Sequence, residues 1–353
     1  MTEQAPQDRV EESKTFWAEL QDAVSPRTVA LVVGVLFVQV AFVASYVGAF
    51  HHQSPKDISF GVVAPTSSAA QLASSLNAED GHPVSAEVVA DRATAAARIE
   101  RADLSAALVV RSSGKDELLV ASGGGASLVT AVETIAKQYE SAQGRRMKVT
   151  DVVPLQSGDA RGLSGFYLVI GWLVGGYLVS SLLGVAKGSR PANPKRAAIR
   201  LGATVPYAIC SGLGGALVVD QWFGALTGHF WPLAGLGALL VLSAATVTMA
   251  FQVLFGVIGI GLTVLLFVVL GNPSAGGAYQ SQLLPEFWRA VGGWIPNGAG
   301  TDAVRRIVYF GGHGIAGELW LVAGYVVVGA AITMLASLRH AHRREAHRHL
   351  AAG

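Results

Sequence analysis

The chain has 353 residues, of which 51% are apolar and only 14% charged, with a formal net charge of +2. Soluble domains carry roughly 25% charged residues, so the composition excludes an ordinary soluble protein and points to lipid as a solvent. The near-zero charge balance says nothing in favour of nucleic acid. One cysteine, Cys210, excludes an intrachain disulfide or a Cys-based metal site.

In chain order, Arg9 to Val24 places Phe16, Trp17, Leu20 and Val24 on one stripe among Glu11, Glu12, Lys14, Glu19 and Asp22. That pattern predicts an amphipathic lead over residues 1–28, lying at the membrane surface until Ser25-Pro26 breaks it. Val29 to Phe50 is an apolar run long enough to cross roughly 30 Å of hydrocarbon. The long, acid-bearing lead is unlike a signal peptide, so an uncleaved first span at 29–50 is expected.

Residues 51–162 then read as a small α/β domain. ISFGVVAP, AEVVA, SAALVVR, ELLVAS and KVTDVVPL are predicted strands; Ala69 to Leu76, Ala93 to Arg101 and Leu128 to Gln143 are predicted helices. SGGGAS lacks the Lys and Ser/Thr of a phosphate loop and reads as a plain turn. No nucleophile motif or metal-ligand spacing occurs in this domain.

Four further apolar stretches are expected to supply five more crossings: 163–186, 201–220, and 319–338, with 232–270 folding into 232–249 and 252–270 around a turn near Met249 to Gln252. The 39 residues from Pro232 to Leu270 carry no charge, which is too long for one crossing. The loop KGSRPANPKRAAIR, Lys187 to Arg200, holds five Lys/Arg and no acid, and the tail 339–353 begins RHAHRREAHRHL. Basic loops stay in the cytoplasm, so six crossings, both termini inside and the α/β domain outside form the consistent topology of a multi-pass plasma-membrane protein. Residues 271–318, rich in Gly, Pro and Trp, are expected to form a re-entrant or interfacial segment at the outer face, with Leu283 to Trp294 as one helix and another starting at Asp302.

This order resembles that of the type-2 ABC exporter permeases, in particular the phage-infection-protein-like membrane proteins with a large outer insertion. In that family the insertion starts with a strand similar to ISFGVVAP and continues into a pattern like VVADRATAAARIERADLSAALVV, here carried by Asp91, Ala95, Ile99 and Ala106 to Val110. LLPEFWRAVGGWIPNGAGTDAVRRIVYFGG looks like the family's stretch before the last span, with Pro285, Pro296 and Arg305 or Arg306. The resemblance implies a permease half that works as a dimer, with itself or a related half, and couples to a separate ATP-binding subunit. The chain holds no GxxxxGK[ST], no cofactor site and no catalytic set of its own.

The resemblance also implies which residues touch that ATPase: Phe16 and Trp17 on the lead, and Arg190, Lys195, Arg196 and Arg200 in the basic loop. The plainer reading of these residues is membrane anchoring and a topology signal. Trp288, Trp294, Asp302, Arg305 and Arg306 are candidates for an outer gate; anchoring at the interface and an Asp302–Arg306 pair across one helical turn is the bland alternative. Polar residues inside the spans are uncharged, which argues against a proton-coupled antiporter and suits amphipathic or lipidic cargo. A membrane-anchored receptor or assembly scaffold acting through the outer domain is the second functional class.

Overall fold

The structure is a computed structural model that describes residues 25–188, 191 and 193–352, with side chains at 27, 66, 67 and 340–352 excepted. The chain divides into two compact units, Met1–Ala44 and Ser45–Gly353. The described part of the first unit is the opening of helix α1, Pro26–Phe50, whose first turn is closed by the Ser25 hydroxyl accepting from the Thr28 N–H at 3.2 Å. The amphipathic lead, with Phe16 and Trp17, lies outside the described residues.

In the second unit, the α/β domain contains β1 (Ile58–Val63), α2 (Thr66–Asn77), β2 (Val84–Val88), α3 (Arg92–Glu100), β3 (Ala106–Val109), β4 (Lys115–Val120), α4 (Ala126–Ala142) and β5 (Arg146–Asp151). The strands form one sheet in the order β2-β1-β3-β4-β5, parallel except for the antiparallel β3–β4 pair. Helices cover both faces, which explains why the central strands read as continuous apolar runs. Ile58, Phe60, Leu108, Leu118 and Val120 meet Leu72 and Leu76 of α2 and Leu128, Val132 and Ile135 of α4 on one face. Ala107, Val109 and Leu119 meet Ala95 and Ile99 of α3 on the other. Asp91 starts α3 by accepting from the Thr94 N–H at 2.8 Å, satisfying one of the orphan donors of a helix start.

The remaining helices are α5 (Ser164–Lys187), α6 (Pro194–Ala216, continuing through a wide turn to Trp222), α7 (Phe230–Phe255), α8 (258–274), α9 (Glu286–Gly292), α10 (Pro296–Tyr309) and α11 (Ala316–Ala352). Five helices among the described residues are long and apolar enough to cross a membrane: Thr28–Phe50, Ser164–Lys187, Pro194–Trp222, Phe230–Phe255 and Ala316–Arg339. The sixth expected crossing corresponds to α8, apolar but shorter than the other five. The break between α7 and α8 falls at Gly256, with φ +67° and ψ −137°, several residues beyond the expected 249–252 turn. Only glycine adopts that backbone readily, which is why the helix ends at Gly256 and not within 249–252.

Helix α7 is the centre of the bundle, with Leu233, Leu240, Val241, Ala244 and Ala245 fully buried. A side chain at Gly176 of α5, Gly212 of α6 or Gly329 of α11 would strike the α7 backbone. Each neighbour thus approaches α7 through a residue without a Cβ, the usual route to tight helix packing in lipid. The charged residues of the five long spans lie near their ends, which is where a bilayer tolerates them.

Candidate functional site

The connection between α5 and α6 is short, from the C-cap Gly188 to the N-cap Asn193. Asn193 caps α6, its Oδ1 accepting from the Arg196 N–H at 2.9 Å, and Pro194 takes the first helical position, where a missing N–H does no harm. Arg200 reaches back and donates to the Lys187 and Gly188 carbonyls at 2.9 Å each, satisfying orphan acceptors at the end of α5. Arg200 thereby ties the first turns of α6 to the end of α5. Lys195 and Arg196 remain exposed, and Arg190 lies outside the described residues.

Lys195 and Arg196 stand in the first turn of α6, at the positive end of the helix dipole. A cation there opposes helix stability by about 0.3–1 kcal/mol. Helix formation does not account for them, whereas acidic lipid or an acidic protein surface would. Arg200 differs: its bonds to the end of α5 assign it a clamping role in the fold, which its spacing in sequence did not reveal.

At the other end of the bundle, the α/β domain is seated on the segment 275–284 and on α10. The Gln280 side chain accepts from the Leu128 N–H at 3.0 Å, and the Ser127 hydroxyl donates to the Ala278 carbonyl at 2.7 Å. The Tyr309 hydroxyl donates to Asp159 at 2.7 Å, while the other oxygen of Asp159 accepts from the Ser164 N–H at the start of α5. Phe310 enters the core beneath α3 and Leu283 enters the core beneath α2 and α4. The glycine run 123–125 makes this possible. A Cβ on Gly123 would lie 2.7 Å from Tyr309, and Gly125, at φ +136°, faces the Gln280 amide with no room for one. What reads as a plain turn is a seat.

The five outer candidates separate. Trp288 is buried against Ala49 and Leu284 instead of half-wet, with Phe50, Leu270 and Tyr279 packed around them. Trp294 is 76% exposed, and its carbonyl accepts from the Tyr325 hydroxyl at 2.9 Å. The expected helix 283–294 is a short turn at Ser281–Leu283 followed by α9, and α10 starts at Pro296, six residues before Asp302. Asp302 pairs with Arg305 at 3.5 Å and not with Arg306. Arg306 is drawn away by the Glu318 carboxylate at 3.3 Å and by the His313 carbonyl at 2.9 Å. Arg305 is buried and also donates to the Gly276 and Gly277 carbonyls at 2.6 and 3.1 Å, so it holds the loop before α9 in place.

Three cavities open near this layer, the smallest, of about 140 Å³, lying between the α/β domain and Gln280, Arg305 and Phe310. One of about 420 Å³ is lined by Arg289, Asp302 and Glu318 among glycines 276, 292, 293, 298 and 317. A groove of about 720 Å³ between the halves of α5 and α6 nearest the α/β domain has Gly171, Ser211, Gly214 and Gly215 among its walls and Tyr167, Trp172 and Phe223 as its aromatic lining. Among the described residues no group of three or more His, Cys, Asp or Glu is placed to hold a metal ion.

Comparison with protein-family models, with curated proteins and with solved structures gives no match to this chain.

Proposed function

We propose that the chain is the membrane subunit of an ATP-driven exporter, a permease that works as a dimer with a separate ATPase chain and moves amphipathic or lipidic cargo. In this reading both termini and the α5–α6 connection face the cytoplasm of the plasma membrane, and the α/β domain faces out. The observation that carries the reading is the pair Lys195 and Arg196: exposed, placed against the helix dipole, and mounted on a connection that Arg200 clamps to the end of α5. A push delivered there enters α5 and α6 directly, and these two helices flank the 720 Å³ groove.

The groove supports the cargo class. It is mostly glycine and aromatic surface, without a charged side chain in its lining, as an alkyl chain requires and a hydrophilic solute does not. The seat of the α/β domain also favours the exporter over a receptor whose spans serve as an anchor. A domain held by Gln280, Tyr309 and Phe310 is built to move with the bundle. Charge reversal at Lys195 and Arg196 tests the proposal while leaving Arg200 in place. It is expected to abolish stimulation of the partner's ATP hydrolysis with the protein still inserted; stimulation at the unaltered level would refute the assignment.

A further inference from the structure

The end of the α/β domain away from the bundle carries two buried carboxyls that transport does not use. Asp116 lies at the start of β4 and Glu140 in the last turn of α4, 2% and 4% exposed. Asp116 is fully satisfied: it accepts from the Arg111 N–H at 2.8 Å and from two nitrogens of Arg145 at 2.5 and 2.7 Å. Glu140 is not. Both its carboxylate oxygens are sealed from solvent, and neither has a donor within hydrogen-bond distance.

The groups around Glu140 explain why. From β4 it faces the Asp116 carboxylate, an acceptor with no proton to offer. From the turn before β5 comes Arg145, whose guanidinium is committed to Asp116 and to the Arg111 carbonyl. From the β3–β4 turn comes Arg111, whose guanidinium bonds Glu117 instead. Tyr139 is the adjacent group on α4 itself. On β5, Met147 and Val149 point to this face, so Arg146 and Lys148 point to the other. An ionised Glu140 would therefore add an uncompensated negative charge at the negative end of α4. A proton on Glu140 turns a clash of two acceptors into one O–H···O bond.

We propose that Asp116 and Glu140 share one proton, and that this proton latches the last turn of α4 onto the sheet, closed in mild acid and released as the medium turns alkaline. Burial, and then the Asp116 carboxyl beside it, push Glu140 up to about 7. The folded value lies above the ordinary 4.5, so the latch is at full strength below about 4.5 and is lost as pH rises through about 7. A displacement of that size weakens closure by at most roughly 300-fold. The same helix begins at the bundle, through Ser127 and Leu128, so the latch sits on the element that joins the domain to the outer loop. The inference stands whether or not the chain is an exporter.

Hydrogen exchange of amides 137–146 in the full-length protein, corrected for the intrinsic pH dependence of exchange, reads the latch. Wild-type protection is expected to fall by tens-fold or more, up to that bound, from about pH 5 to about pH 8.5. Glu140→Gln, whose amide donates to Asp116 at any pH, is expected to stay flat. A flat wild-type profile, or a slope that persists in Glu140→Gln, overturns the proposal. Should that variant fail to fold, Asp116→Asn must move the wild-type midpoint down by at least about one pH unit, and an unmoved midpoint overturns it equally.

Discussion

Placing a methyl group on Gly123 should unseat the α/β domain, and the structure sets the size of the effect. The added Cβ would lie 2.7 Å from Cγ, 2.8 Å from Cδ1 and 2.9 Å from Cβ of Tyr309. None of these is the free end of a flexible chain. The ring cannot swing aside without breaking the 2.7 Å bond from its hydroxyl to Asp159, which is 2% exposed and needs that donor. Overpacking of this kind costs about 1–3 kcal/mol. If the ring does move, the lost bond to a buried carboxylate adds about 1.5–3 kcal/mol. A double-mutant cycle with Tyr309→Ala, read by thermal unfolding in detergent, separates the terms. Gly123→Ala should be far less damaging once Tyr309 is gone, giving a coupling of about 1–3 kcal/mol. Additivity within about 0.5 kcal/mol would show that the two do not oppose each other, and the seat would have to be sought elsewhere.

Other consequences follow from the same contacts. Glu117 is held at about 2, first by its bond from Arg92, so its contribution is present above the ordinary 4.5 and lost as pH falls toward 2. Glu117→Gln should therefore destabilise the domain by about 1.5–3 kcal/mol at neutral pH, measured by unfolding, and by nothing near pH 2. Together with Glu140, this places the domain's greatest stability in mild acid, between those two losses. Arg305→Lys should cost about 2–4 kcal/mol, since an ammonium cannot serve Asp302 and both glycine carbonyls in a fork. Equal stability of the lysine variant would mean that the loop before α9 is held by other means. Gly176→Leu should push α5 off α7 and lower the melting temperature more than Gly171→Leu, because nothing lies within 4 Å of a Cβ at Gly171.

The α/β domain was legible because its strands are buried on both faces and its helices repeat at 3.6 residues; every predicted strand and helix is present within a few residues of its expected place. The segment 271–318 was not, because its pairings are decided by tertiary partners. Arg306 stands four residues after Asp302, yet Glu318 and His313, across the following loop, take it. The α7–α8 break was misplaced because the uncharged run 232–270 offers no polar residue at the turn, and the deciding feature is the backbone freedom of Gly256. Glu140 did carry a signal. It lies four residues after Ala136 and eight after Val132, on the buried stripe of α4, where a carboxylate is out of place. Arg200 carried none, because its clamp needs the end of α5 to be folded back beside it.

Purification of the full-length protein from its native membrane, with identification of the chains that remain bound, tests the exporter reading most directly. It predicts that a chain bearing a GxxxxGK[ST] phosphate loop comes away with the protein, and that Lys195→Glu with Arg196→Glu releases it. A preparation without any ATP-binding chain, or one that both charge reversals leave intact, would contradict the reading.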